Sequence, residues 1–161
     1  IYTELKKELK QILKNAGYEV ETLSLETSNR RDLGEYQLND AMQLARTYKQ
    51  NPREIAAKIV AELEKDDRFT NINIAGPGFI NISLSEKYAK DILNRIEYVV
   101  CCVGAFAERF NLTNAQAYAY LRRFTGIDFL LDCYAAEHTL SIDDAVDDLV
   151  HVCIQKGGRI S

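Results

Sequence analysis

Apolar residues recur at helical spacing from the start of the chain. Leu5, Leu9, Ile12 and Leu13 fall on one face of residues 3–15, Lys6, Lys7, Lys10 and Lys14 on the other, and Gly17 supplies a stop. An amphipathic helix with a basic outer face is expected. A short apolar stretch from Val20 to Leu25 reads as extended and the following SNRRDLG as a loop. Helical spacing returns over residues 36–48 through Leu38, Met42 and Leu44 or Ala45. Asn51 is a good N-cap, Pro52 suits the first helical position, and Glu54 follows the cap by three residues. A new helix carrying Ile55, Ile59, Val60 and Leu63 starts there. After EKDD the pattern changes to alternation, with Ile72 and Ile74 before the turn AGPG and Ile80, Ile82 and Leu84 after it. Two strands joined by a tight turn are predicted, and Ser85 then opens a helix through Tyr88, Ile92, Leu93 and Ile96.

Strand signals vanish beyond residue 97. Val99, Val100, Val103, Phe106 and Phe110 form an apolar stripe, and Thr113 with Gln116 resembles a capping box for a helix from Ala115 to Phe124 that Gly126 breaks. A further segment runs from Ile127 to about Ala136. Ser141 with Asp144 caps a last helix, whose acidic start and Lys156 at its end both suit the helix dipole. The predicted fold is an α+β N-terminal module over residues 1–97, helices with a small antiparallel sheet, followed by an all-α module over residues 98–161. The two are expected to fold and act separately. Ile92, Ile96, Val99, Val103 and Phe106 nevertheless keep helical spacing across that boundary, the pattern of a single shared helix.

Composition narrows the function classes. Of 161 residues 47% are hydrophobic and 27% charged, enough to bury a core. No apolar run approaches the ~20 residues that cross a bilayer, and the charged start IYTELKKELK is unlike a signal peptide. A cytoplasmic protein without membrane contact is expected. Cys101, Cys102, Cys133 and Cys153 form no CxxC pair and read as reduced, mostly buried thiols. Cys133, His138, His151 and Cys153 lack the paired spacing of a structural zinc site, and nothing marks a Cys–His nucleophile. No metal, cofactor or small-molecule substrate is indicated. Residues 1–97 hold 15 basic against 16 acidic side chains, whereas residues 98–161 hold 5 against 8, so any RNA contact belongs to the first module.

GEYQLNDAMQLARTYKQNPREIAAKIVAEL (residues 34–63) closely resembles the N-terminal additional domain of bacterial arginyl-tRNA synthetases, and IAGPGFINISLS (residues 74–85) carries the resemblance through the hairpin. Together they anchor a likeness over about residues 1–97. The resemblance implies a module that packs against the outer corner of tRNA, with the loop over Gly76, Pro77, Gly78, Phe79 and Asn81 holding an exposed D-loop base. Phe79 would stack on the base and Asn81 would read its edge, which is sensible chemistry for an aromatic face and an amide. The HxGH and KMSK-like signatures of the synthetase catalytic domain do not occur and no glycine-rich phosphate loop is present, so this chain alone is not expected to be an enzyme.

The stretch from Tyr98 to Gly158 resembles a bacterial family of unknown function, numbered 3791, which implies a protein-binding or neutralising role but no activity. Within it, Tyr118, Tyr120, Arg122 and Arg123 are candidates for protein interaction, because Tyr and Arg are enriched in interface hot spots. Asp128, Asp132, Asp143, Asp144, Asp147 and Asp148 make this module acidic and suit a basic partner. Two readings follow. In one, a non-catalytic binding protein contacts the tRNA elbow through its first module and an unknown protein through its second. In the other, the synthetase-like unit is only a scaffold, as in a fragmentary or artificial fusion, within a protein-binding or antitoxin-like molecule. If the lysine face of the first helix meets RNA, neutralising Lys6, Lys7 and Lys10 together should flatten the salt dependence of tRNA binding, by about 0.7 to 0.9 in slope for each phosphate that a lysine had neutralised. An unchanged slope in filter binding would return these lysines to a solvated face.

Overall fold

The computed structural model describes residues 2–160, which divide into two compact units that meet in the sequence between Lys90 and Asp91. The first unit runs α1 (Tyr2–Asn15), β1 (Leu25–Thr27), β2 (Tyr36–Leu38), α2 (Asp40–Tyr48), α3 (Pro52–Leu63), β3 (Phe69–Ala75) and β4 (Phe79–Leu84). The strands form one antiparallel sheet in the order β1-β2-β4-β3. Its core is built from Leu5, Leu9 and Leu13 of α1, Leu44 of α2, Ile55, Ile59 and Leu63 of α3, and Ile80 and Ile82 of β4, all buried. The apolar spacing of α1 and α3 thus selects the faces it predicts. Truncating one of the fully buried leucines, such as Leu9, to alanine should cost about 2–5 kcal/mol.

The helix expected over residues 36–48 begins only at Asp40, because Tyr36–Leu38 is a strand with a hydrogen-bonded neighbour on each side: β1 pairs with it from Leu25 to Thr27 and β4 from Ile80 to Ile82. Two paired edges satisfy this backbone better than a helical start would, and tertiary context overrides the local spacing. Asp40, at the first position of α2, is buried, and both its carboxylate oxygens accept the Ser24 N–H at 3.0 Å. The extended piece expected at Val20–Leu25 forms its strand slightly later, at Leu25–Thr27. Asn51 caps α3 as expected, accepting the Arg53 N–H at 2.9 Å with Pro52 next to it. β3 is irregular between Thr70 and Asn73, where Asn71 takes a φ of 47°.

Helix α4 (Glu86–Arg109) is continuous across residue 97, as the unbroken apolar spacing allowed. The second unit continues with α5 (Asn114–Arg123), α6 (Gly126–Asp132), α7 (Tyr134–Glu137) and α8 (Ile142–Gln155). Thr113 and Gln116 make both bonds of the capping box, and the Ser141 hydroxyl accepts the Asp144 N–H. The core gathers Cys102, Phe106, Leu121, Leu130, Val146, Leu149 and Cys153, and burial pushes both thiols up from their ordinary pKa. Val100, placed on the apolar stripe by its sequence, is 64% exposed. Gly126 does more than break a helix. A Cβ there would lie 2.9 Å from Leu121 and 3.2 Å from Leu149, so its lack of a side chain lets α6 pack closely.

Glu137 is buried beside Asp148 and Tyr98, with Oε2 unpaired. Burial first, then the Asp148 carboxylate, holds its carboxyl above the usual range. A raised folded-state pKa means that the ionised form weakens the fold at neutral pH and that this cost disappears below the unfolded-state pKa. Glu137→Gln is therefore expected to melt higher than the parent at pH 7–8 and level with it near pH 4. Parallel thermal melts read this, and an advantage that persists unchanged in acid would point to packing instead.

Candidate nucleic-acid interface

The turn between β3 and β4 needs its two glycines, because Gly76 has a φ of +54° and Gly78 one of +147°. It also rests directly on the start of α3. A Cβ on Gly78 would meet the Pro52 carbonyl oxygen at 3.2 Å, and the Arg53 guanidinium donates from Nη1 to the Gly76 carbonyl at 2.8 Å. Gly76 and Pro77 stand exposed at the tip and Gly78 is buried against the helix.

Phe79 is half-buried and faces Ala75 across the hairpin. Its ring edge lies 3.3 Å from where a Gly76 side chain would begin, so the ring spreads over the turn. Among the described residues that form or pack on the first core, Phe79 is not one. An aromatic ring held at a turn seated on a helix and partly open to solvent can offer a stacking surface to an unpaired base.

Asn81 departs from its expected place. Its side chain is buried, 1% exposed, with the amide already bonded across three strands: Oδ1 accepts from Gln37 Nε2 at 3.3 Å and Nδ2 donates to Asn73 Oδ1 at 3.0 Å. Asn73 in turn donates to the Leu33 carbonyl at 2.6 Å, and Gly34 packs so closely that a Cβ would lie 2.9 Å from the Ile82 nitrogen and 3.1 Å from the Asn81 Cβ. The loop between β1 and β2 covers this amide ladder. The expectation that Asn81 presents its amide to a base edge is corrected accordingly, since both polar groups are spent on holding β2, β3 and β4 in register.

The basic face of α1 lies partly where its sequence put it. Lys7 and Lys10, with Gln11, Lys14, Tyr18, Glu19, Val20 and Glu21, line an open groove of about 390 Å³. Lys10 donates to the Glu21 carbonyl, and Lys6 sits 5.9 Å from the Tyr2 ring centroid. Lys58 of α3, which no sequence pattern singled out, reaches the Tyr18 ring at 6.0 Å.

In the second unit Tyr118 is exposed, as are Arg122 and Arg123, the latter lying over Phe124 at 5.4 Å. Tyr120 is a correction. Its ring stacks on Phe106 at 5.7 Å and tilts against Phe124 at 4.8 Å, and a Cβ on Gly158 would come within 2.4 Å of its hydroxyl. It belongs to the packing, not to an open surface. Among the described residues Cys133, His138, His151 and Cys153 form no metal-ligating cluster: His138 stacks on Tyr134 and His151 pairs with Gln155. No helix among the described residues is long and apolar enough to cross a membrane.

The family model of the arginyl tRNA synthetase N terminal domain matches residues 3–84. The chain belongs to that family. Residues 97–156 match a second family model, described as a protein of unknown function, DUF3791. Among curated relatives, arginine–tRNA ligase of Colwellia psychrerythraea is 47% identical over 73 residues, covering 45% of this chain and 12% of the ligase. That of Thermotoga maritima is 42% identical over 85 residues, covering 53% of this chain and 15% of the ligase. This chain therefore spans less than a sixth of either enzyme. A crystal structure of arginyl-tRNA synthetase from Plasmodium falciparum aligns with a TM-score of 0.43 at 24% identity, covering 52% of this chain and 16% of that one.

Arg53 and the partners of Asn81 were not legible in the sequence. Neither has a local signal: Arg53 looks like any polar residue in a first helical turn, and the ladder exists only once strand register is set. Asn81→Ala should strand the Gln37 amide and the Asn73 oxygen in a covered site, at a cost of about 1–3 kcal/mol. Phe79→Ala, at a half-open position, should lower the melting temperature less. Equal melting temperatures for the two variants would show that the ladder does not hold the sheet.

Proposed function

We propose that this protein binds tRNA without catalysing a reaction on it, using the hairpin of its first unit to hold an unstacked base at the elbow, and that its helical unit attaches a protein partner. The observation that carries the reading is the placement of Phe79: a partly exposed ring, outside the core, over a turn whose two glycines permit its backbone and which Pro52 and Arg53 at the start of α3 hold in place. Membership of the arginyl tRNA synthetase N terminal domain family supports a tRNA-related role. In this reading Gly76, Pro77 and Gly78 let the base approach the backbone, Phe79 supplies the stack, and Asn81 keeps the strand beneath in register. Lys6, Lys7 and Lys10 add phosphate attraction from α1. The groove lined by Lys7, Lys10 and Lys14 gives a backbone room to lie.

For the helical unit, the supporting observation is apolar exposure on an acidic surface. Leu93, Val100, Tyr118, Leu140 and Ile154 are all at least 42% exposed, and Tyr118, Arg122 and Arg123 lie on one short helix among them. A basic protein with apolar anchors fits such a surface, and nucleic acid does not.

The test is filter binding of bulk bacterial tRNA at fixed salt. Phe79→Ala is expected to weaken binding by about 1–3 kcal/mol, the value of one base stack, while circular dichroism stays that of the parent. Equal affinity of parent and variant would remove the hairpin from the mechanism.

A further inference from the structure

The hairpin turn and the first turn of α3 bring two different chemistries to one residue. At Gly76 the Phe79 ring edge covers the Cα side, 3.3 Å from a Cβ position, while the Arg53 guanidinium is bonded to the carbonyl at 2.8 Å. A guanidinium carries five N–H donors, and Gly76 takes a single bond from this one. Arg53 is exposed, and among the described residues no carboxylate pairs with it, whereas Arg30, Arg68 and Arg109 each hold one or two. The backbone offers little beside it: Pro52 has no N–H, and the Arg53 N–H is taken by the Asn51 side chain. What remains at the edge of the stacking surface is a charged, planar fork, oriented by its bond to the turn and without a counter-ion.

Resting on the proposed stacking of a base on Phe79, we propose that Arg53 binds the backbone phosphate of that same nucleotide. A base laid on the ring carries its sugar and phosphate past the rim of the turn, where the fork stands. Guanidinium geometry matches two phosphate oxygens, so the contact is bidentate and charge-assisted. Because the Gly76 bond already fixes the side chain, little rotamer freedom is lost on binding. Base and phosphate are then read by one rigid element, the α3 start with the hairpin seated on it. The contact is blind to base identity and selects a nucleotide turned out of the stack, since only such a nucleotide reaches ring and fork together.

The experiment measures binding of bulk bacterial tRNA to the full chain across a potassium chloride series, for the parent, Arg53→Ala, Arg53→Lys and Phe79→Ala. Removing one bound phosphate should reduce the slope of log affinity against log salt by about 0.7–0.9. Arg53→Ala is expected to show that reduction, Arg53→Lys to keep the parental slope at reduced affinity, and Phe79→Ala to lose affinity at unchanged slope. A merely structural Arg53 would lower affinity through a loosened turn but would leave the slope alone, so an unchanged slope in Arg53→Ala overturns the phosphate contact whatever its affinity. If the parent binds tRNA and Phe79→Ala weakens it while Arg53→Ala keeps the slope, only this inference falls. If the parent binds no tRNA at any salt, both it and the proposed function fall.

Discussion

The first unit depends on β4 being paired along both edges. Ile80 and Ile82 enter the core from one side of that strand while Asn81, between them, points to the other and bonds to Gln37 of β2 and Asn73 of β3. A slip of one residue would turn the isoleucines out and the asparagine in, an error that apolar burial and the amide ladder both forbid. With β4 locked, the position of Phe79 at its first residue is fixed, as is the turn before it. The placement of the Phe79 ring over the turn is therefore a consequence of register, and so is the seat of Gly78 on Pro52.

This dependence separates two kinds of residue that the family resemblance treats alike. Phe79 and Asn81 are two places apart in an extended strand and so share a face, yet only the ring stands at the sheet's open end. The loop carrying Leu33 and Gly34 folds over the amide, and Gly34 allows the approach because a side chain there would collide with Ile82. A polar residue can thus hold neighbouring strands in register while presenting none of its polar groups to solvent.

The second unit is held by different means. Its core is a set of short helices with stringent caps at Thr113 and Ser141 and a close approach at Gly126, where the missing side chain lets Leu121, Leu149 and Cys153 meet. Ion pairs contribute little to it, since Arg109 meets Asp143 and Asp147 on an exposed surface. Among its described residues the unit carries its charge outward and keeps one carboxyl, Glu137, inside, where burial holds it above the usual carboxylate range.

Helix faces, caps and the Gly-Pro-Gly turn were determined by the sequence itself, because each rests on neighbours within four residues: the leucines of α1, Asn51 with Pro52, the Thr113–Gln116 box. The α+β and all-helical halves followed from a change of period. What required the tertiary structure was the meeting of segments far apart in the chain. Tyr36–Leu38 is a strand because β1 and β4 flank it, Asn81 is buried because Gly34 crosses it, Tyr120 packs on the core because Phe106 and Gly158 close on it, and Arg53 reaches the hairpin because α3 starts beneath the turn. Local spacing encodes which face a residue takes on its own element, and only packing decides what lies against that face.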